Sequence, residues 1–148
     1  MSHPYLPAVI DLVRQAGPQH LNCRIDLRAA DWENLVPLYR DLAAKCGCEA
    51  VIEIIVPGKS TPEAELRPVA AALTKAGLAP AAVMVTPAAD LLSYPPGVPY
   101  PDGVPGWKDV AAGARSAFPG IRIGSGMLSN FTELNRKPAP HVETVTGG

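Results

Sequence analysis

The sequence predicts an α/β fold, with a parallel sheet built from repeated βα units behind a leading helix. Short apolar segments typical of strands alternate along the chain with longer segments of helical periodicity. The predicted strands begin near residues 21, 50, 81 and 121, and the intervals of 29, 31 and 40 residues suit right-handed βαβ connections. At 148 residues, with 47% hydrophobic and 18% charged residues, the chain has the size and composition of one globular domain.

The first two elements are a helix and a strand with one charged face. Apolar residues at helical spacing predict an amphipathic helix over residues 6–16, which ends at Gly17-Pro18. A strand is predicted over residues 21–27, because apolar and charged residues alternate there. The apolar positions are Cys23, Ile25 and Leu27, and the charged positions are Arg24, Asp26 and Arg28.

A second helix is predicted from about Trp32 to Lys45, with Asp31 as its N-cap. Its apolar stripe at helical spacing consists of Leu35, Leu38, Tyr39 and Leu42. Pro37 falls within this stretch, and proline disrupts a helix interior. We therefore expect either a kink at Pro37 or a later start of the helix.

The middle of the chain predicts a buried strand and a third helix. Residues 50–56 form an almost continuous β-branched run, which is typical of a strand buried on both faces of a parallel sheet, and the run ends at Pro57-Gly58. Thr61 as N-cap and Pro62 in the first turn predict a helix that continues to Gly77. The apolar positions of this helix are Leu66, Val69, Ala70 and Leu73.

The last elements are two strands and a helix, with a proline-rich segment between them. Residues 81–86 predict a short apolar strand, and residues 94–106 predict an ordered surface loop. A fourth helix is predicted over residues 107–118 and a fourth strand over residues 121–124.

Charge and hydropathy exclude two classes of partner. Thirteen Lys and Arg residues against 14 Asp and Glu residues are too balanced for a nucleic-acid-binding surface. The sequence has neither an apolar run of the roughly 20 residues that cross a bilayer nor the charged and apolar start of a signal peptide. We expect a cytoplasmic protein without nucleic-acid or membrane partners.

The chain lacks the usual cofactor motifs, so we expect neither a cofactor nor a bound metal. The segment after the first strand, residues 28–31, has no glycine-rich nucleotide-binding pattern. The three histidines are far apart in sequence, and Cys46-Gly47-Cys48 does not have the two-residue gap of zinc or redox motifs. The three cysteines are expected to be reduced thiols.

Charged residues within the first two predicted strands are candidates for a functional site. Glu53 interrupts the most apolar strand, and an unpaired ion is costly to remove from water. Two interpretations remain open. Asp26 and Glu53 neutralise Arg24 and Arg28 as structural ion pairs, or Asp26, Arg28 and Glu53 contact a substrate hydroxyl or carboxylate.

A polar loop after the fourth predicted strand is the second candidate. Residues 124–138 contain two glycines that allow close backbone approach, followed by a cluster of polar residues. Glu133 is a candidate general acid or base, and Asn130, Asn135 and Arg136 are candidates for holding hydroxyls and a carboxylate or lactone oxygen. The alternative is a capped turn whose polar side chains bond the local backbone.

Several of these motifs together resemble the central barrel domain of the D-apionate lactonases. The most specific is Asn-Phe-Thr-Glu-Leu-Asn-Arg-Lys-Pro at 130–138, preceded by Ile-Gly-Ser-Gly-Met. The others are residues 24–28, the strand that contains Glu53, the Glu65-Leu66 pair and Phe118-Pro119-Gly120. The resemblance implies a TIM-barrel domain like that of glycoside hydrolases and the hydrolysis of apionolactone to apionate.

The resemblance also implies an incomplete barrel. Family members continue after the polar loop through further βα units and a β-rich region, and a TIM barrel needs eight strands. We expect residues 1–148 to form one half-barrel domain of about four βα units, a fragment of a longer barrel. Such a domain has two open sheet edges, which a second copy or another half-barrel would cover.

Two functions are therefore expected. The first is a carbohydrate-acid lactone hydrolase, with Glu133 as the catalytic residue and Asp26, Arg28, Glu53, Asn130, Asn135 and Arg136 around a sugar acid or lactone. The second is a non-catalytic half-barrel that binds a sugar acid or completes a barrel with another subunit.

Overall fold

The structure is a computed structural model that describes residues 7–91 and 102–125. The four strands are β1 (His20–Asp26), β2 (Glu49–Val56), β3 (Pro80–Pro87) and β4 (Arg122–Ser125). The four α-helices are α1 (Pro7–Ala16), α2 (Leu35–Cys46), α3 (Pro62–Ala76) and α4 (Trp107–Ala117). Short 3-10 turns lie at Trp32–Asn34 and Ala88–Leu91.

The strands form one parallel sheet in the order β1-β2-β3-β4, so each strand pairs with the next one along the chain. A helix separates each pair of consecutive strands. The predicted α/β fold, with parallel strands alternating with helices behind a leading helix, is confirmed. Each predicted strand is present, with ends that differ from the prediction by at most one residue.

The end of β1 differs from the prediction because a turn closes there. The backbone N–H of Ala29 donates to the carbonyl of Asp26 at 3.0 Å, which ends the strand at Asp26. Leu27, predicted as the last strand residue, still donates its backbone N–H to Ile55 at 3.1 Å. Arg28 consequently lies beyond the strand.

The start of α2 corrects the predicted N-cap. Trp32–Asn34 is a 3-10 turn, the α-helix begins at Leu35, and the Asp31 side chain makes no capping hydrogen bond. The expected later start is confirmed. It places Pro37 in the first turn, where a missing backbone N–H removes no intrahelical bond.

The buried face of α2 also differs from the prediction. Val36 and Ala43 are its buried residues. Tyr39, from the predicted stripe, packs against the core and donates its hydroxyl to the Arg24 carbonyl at 2.6 Å. The leucines of that stripe are half-buried, at positions 35, 38 and 42. Both sets of residues have helical spacing, so the sequence alone does not distinguish the face that meets the sheet.

The hydrophobic core lies between one face of the sheet and the helices. The strands contribute alternate residues that are almost fully buried: Ile25, Ile52, Ile54, Val83 and Val85. The helices contribute Val36, Leu66, Val69, Leu73, Val110 and Ala114. The predicted apolar positions Leu66, Val69 and Leu73 of α3 are buried, and Ala70 is partly buried against them.

Helices α3 and α4 approach each other closely at a glycine. A Cβ atom on Gly113 of α4 would lie 2.7 Å from Cβ of Pro62 and 2.8 Å from the backbone nitrogen of Glu63. It would also lie 3.0 Å from the backbone carbon of Pro62, and all three atoms belong to the first turn of α3. Gly113 therefore sets the distance between the two helices.

The cysteines are free thiols in different environments. Cys46 and Cys48 are half-buried, whereas Cys23 lies in the core with 2% of its surface exposed. Burial raises the pKa of the Cys23 thiol to about 11, because the core disfavours the thiolate.

The helices in the described ranges are too short or too polar to span a membrane.

Candidate active site

The second face of the sheet, which we call the inner face, carries the side chains that alternate with the core residues. It consists of Asn22, Arg24 and Asp26 from β1, Val51, Glu53 and Ile55 from β2, Ala82, Met84 and Thr86 from β3, and Arg122 and Gly124 from β4. Most of its polar residues belong to β1 and β2. Asp26 and Glu53, predicted as site residues, are both on this face.

Strand register arranges these residues in rows across the sheet. Arg24 pairs with Glu53, which pairs in turn with Met84. In the next row towards the carboxyl ends of the strands, Asp26 pairs with Ile55, which pairs with Thr86. Arg24 and Glu53 therefore share one row, and Asp26 lies in the adjacent row.

Glu53 is the buried centre of a polar cluster on the inner face. Its carboxylate accepts hydrogen bonds from Arg24 Nε at 3.0 Å, from Arg24 Nη2 at 3.1 Å and from Asn22 Nδ2 at 3.1 Å. The Glu53 side chain is 8% exposed and that of Arg24 is 55% exposed. The two-point contact is the strong geometry for a guanidinium and a carboxylate. It raises the pKa of Arg24 further above its usual value, mainly through the hydrogen bond to Glu53.

A second ion pair lies at the carboxyl end of β1. Arg28 donates from Nη2 to Asp26 Oδ2 at 2.7 Å and from Nε to Oδ1 at 2.9 Å, and its backbone N–H donates to Oδ1 at 3.0 Å. The hydrogen bond from the Arg28 side chain is the main reason that the pKa of Asp26 is lowered. This pair is local in sequence, and both side chains are partly exposed.

Both ion pairs expected from the sequence exist: Glu53 pairs with Arg24, and Asp26 pairs with Arg28. Arg28 lies past the end of β1, at the edge of the inner face. The four predicted residues of the polar loop lie outside the described residues: Asn130, Glu133, Asn135 and Arg136.

The loop between β2 and α3 is held by a carboxylate that sequence reasoning did not place in the site. The backbone N–H groups of Gly58, Lys59 and Ser60 donate to Glu65 at 3.0, 2.5 and 2.9 Å. Thr61, the predicted N-cap, occupies the cap position but makes no capping hydrogen bond with its side chain. Glu65 therefore fixes a loop at the carboxyl edge of the sheet, where TIM-barrel active sites lie.

A cleft of about 480 Å³ lies beside this loop, lined by residues 58–62 and 103–105 together with Asp109. Gly58 has a φ of +77°, and a Cβ atom there would lie 3.0 Å from Pro105 Cδ. Glycine thus permits both the left-handed turn and the close approach of the two loops. The Asp109 carboxylate accepts the Gly106 N–H at 3.1 Å and fixes the other wall.

Three residues of the described site were not predicted as site residues: Asn22, Arg24 and Glu65. Arg24 was identified only as part of a charged strand face. The signal for Glu65 was a carboxylate early in a helix that follows a Pro-Gly turn, a position from which it reaches the preceding backbone N–H groups.

Glu65→Gln is expected to lower the free energy of unfolding by about 1 kcal/mol. The amide nitrogen of glutamine would face backbone N–H groups that now donate to a carboxylate oxygen, so at least one donor would lose its acceptor. Urea unfolding followed by circular dichroism measures the change. The control is Glu63→Gln in the same helical turn, whose carboxylate pairs with the exposed Arg67. Equal effects of the two substitutions would contradict the anchoring role of Glu65.

Across residues 7–91 and 102–125, no group of three or more His, Cys, Asp or Glu side chains is arranged to hold a metal ion.

A comparison with protein families and a comparison with individual proteins point to the same family. Residues 4–146 match the family described as "D-apionate lactonase, TIM barrel domain". Over 133 residues, 90% of this chain, the sequence is 41% identical to a D-apionate lactonase of Brucella anthropi. The matched stretch covers 22% of that relative, so the chain spans about a fifth of its length. No solved structure matches the chain.

Proposed function

The chain belongs to the D-apionate lactonase family, within its TIM-barrel domain, and from this membership we propose that it acts in the hydrolysis of a sugar-acid lactone. The observation that carries the proposal is the 41% identity to a D-apionate lactonase over 90% of the chain. The four parallel strands that alternate with helices are a partial barrel consistent with the family's TIM-barrel domain.

The position of the polar residues supports a site for a hydroxylated substrate. In TIM barrels, substrates bind at the carboxyl ends of the strands. Asp26 and Arg28 are at the carboxyl end of β1, and Glu53 lies on the same inner face. Carboxylates and guanidinium groups are suited to bind sugar hydroxyls and carbonyl oxygens. We assign these three residues to the wall of the substrate pocket.

The reaction needs few groups. Water adds to the lactone carbonyl carbon, the ring C–O bond breaks, and the ring oxygen takes up a proton to give a hydroxy acid. Glu133 is proposed as the general acid/base, accepting a proton from the attacking water and returning one to the ring oxygen. Asn130, Asn135 and Arg136 are proposed to hold the substrate hydroxyls and the carbonyl oxygen, on which negative charge develops.

A lactonase assay of the purified chain with D-apionolactone tests this proposal. Glu133→Gln is expected to lower kcat about 10²- to 10⁴-fold, because glutamine does not transfer protons. Glu63→Gln, at a half-buried position of α3 where the carboxylate pairs with Arg67, is the matched control and is expected to retain wild-type turnover. Wild-type turnover in Glu133→Gln would remove Glu133 from the mechanism, and a wild-type chain without turnover would contradict lactonase activity of this chain alone.

A second candidate function is a half-barrel that works only when its barrel is completed by a second copy or another subunit. Among the described residues, the outer edges of β1 and β4 pair with no other strand, and open edges favour strand pairing. Light scattering coupled to size-exclusion chromatography tests it together with the assay. A dimer with turnover would support a reassembled enzyme. A monomer that binds sugar acid without turnover would support a binding module.

A further inference from the structure

The ion pair between Arg24 and Glu53 lies in the middle of the inner face, in a row that is otherwise apolar at Met84 and Gly124. Removing a carboxylate from water is costly, and a well-packed apolar pair in its place is often as stable or more stable. Fold stability alone therefore does not require a glutamate in the most apolar strand of the chain. A role in ligand binding would supply a reason for it.

The pair is asymmetric in a way that suits such a role. Glu53 is the buried partner, whereas more than half of the Arg24 side chain surface is exposed, at 55%. Two nitrogens of the guanidinium, Nε and Nη2, are fixed by the Glu53 carboxylate, which Asn22 also contacts. The guanidinium is thus held in one orientation on the inner face before any ligand arrives, which reduces the entropy lost on binding.

Asp26, in the adjacent row, also acts on Arg24 and does not oppose this role. Its carboxylate is neutralised by Arg28 through three side-chain hydrogen bonds. The Asp26–Arg28 pair joins the last residue of β1 to a residue of the following turn, and both side chains are partly exposed. Arg24 is bonded instead to a residue of a different strand, so its orientation is fixed by the register of β1 and β2.

We propose that Arg24 binds the carboxylate of the sugar acid formed by lactone hydrolysis, and that Glu53 and Asn22 are positioning residues that hold its guanidinium. The inference rests on the proposed function, which supplies a product with a carboxylate where the substrate has an uncharged ester. Arginine recognises carboxylates through its planar donors. Arg24 therefore makes the site selective for the ionised acid over uncharged sugars of the same shape.

Isothermal titration calorimetry at pH 7 with two probes tests the selectivity. The probes are D-apionate and its uncharged amide, which share one carbon skeleton. Wild type is expected to prefer the acid about tenfold or more, and Arg24→Gln is expected to lose that preference by weakening acid binding alone. Arg67→Gln, the same substitution at an exposed arginine of α3, is the control and is expected to retain the preference.

Glu53→Gln tests the positioning role. This substitution removes a negative charge near the ligand, so electrostatics alone would tighten binding of the acid. Loss of positioning instead weakens it, and we expect at least about threefold weaker acid binding. Arg24→Gln leaves the buried Glu53 carboxylate without its guanidinium, which destabilises the fold. The double variant Arg24→Gln/Glu53→Gln removes both charges, so it is expected to retain the fold and serves as the control.

The outcomes separate this inference from the proposed function. A wild-type chain that binds neither probe, or that binds both equally, would overturn the inference, whereas the proposed function is tested separately by lactonase turnover. Wild type that prefers the acid, with an equal preference in a folded Arg24→Gln or in the double variant, would overturn the inference alone. Unchanged or tighter acid binding by Glu53→Gln would overturn the positioning role.

Discussion

Replacing Ile54 by alanine is expected to lower the free energy of unfolding by about 3 kcal/mol. Ile54 is fully buried in β2, which has a paired strand on each side, and it belongs to the core between the sheet and the helices. Alanine would lose the burial of three carbon atoms and leave a cavity that neighbours on a rigid sheet do not fill. Chemical denaturation followed by circular dichroism measures the loss.

The matched control is Leu12→Ala in α1. This removes a side chain of the same size, but Leu12 is 65% exposed, so the expected change is within about 0.5 kcal/mol. A loss at Ile54 no larger than the loss at Leu12 would show that the sheet does not pack as described.

Gly113→Ala is expected to lower the free energy of unfolding by about 2 kcal/mol, although alanine is the better helix former. A methyl group there would lie 2.7 to 3.0 Å from atoms of Pro62 and Glu63, including backbone atoms that do not rotate away. Helices α3 and α4 would have to separate. Because the first turn of α3 adjoins the loop held by Glu65, the substitution is also expected to disturb the cleft beside that loop.

The control for Gly113 is Ala112→Gly on the exposed side of α4. Helix propensity alone predicts that this change destabilises by about 1 kcal/mol and that Gly113→Ala stabilises by a similar amount. Thermal unfolding of both variants gives the sign directly. A higher melting temperature for Gly113→Ala would contradict the close contact between the helices.

Much of the fold was predictable because its periodicities are unambiguous. The β-branched run of β2 permits few structures other than a buried strand, and the spacing of Leu66, Val69 and Leu73 predicted the buried face of α3. The sequence was least informative in α2. There two sets of residues share helical spacing, and a 3-10 turn replaces the predicted cap at Asp31.

The candidate site was predictable only in part. Alternation in the sequence shows which face of the sheet a residue is on, but its partner depends on strand register, which the sequence does not show. The charged positions of β1 and the interruption at Glu53 indicated a polar face. They left open which arginine meets Glu53, since that depends on Arg24 and Glu53 being opposite each other in two strands. The sequence marks Glu65 only as a carboxylate early in a helix, and the three backbone N–H groups that it accepts from depend on the path of the preceding loop.

The order of strands in the sheet has a consequence for how the protein is made. Because β2, β3 and β4 each pair with the strand that precedes them in the chain, each of these three meets a neighbour that has already been synthesised when it leaves the ribosome. Within the described part of the chain, these three strands can therefore pair on one side as soon as they are made. The sheet can therefore grow in the direction of translation, with its newest edge always the one that accepts the next βα unit.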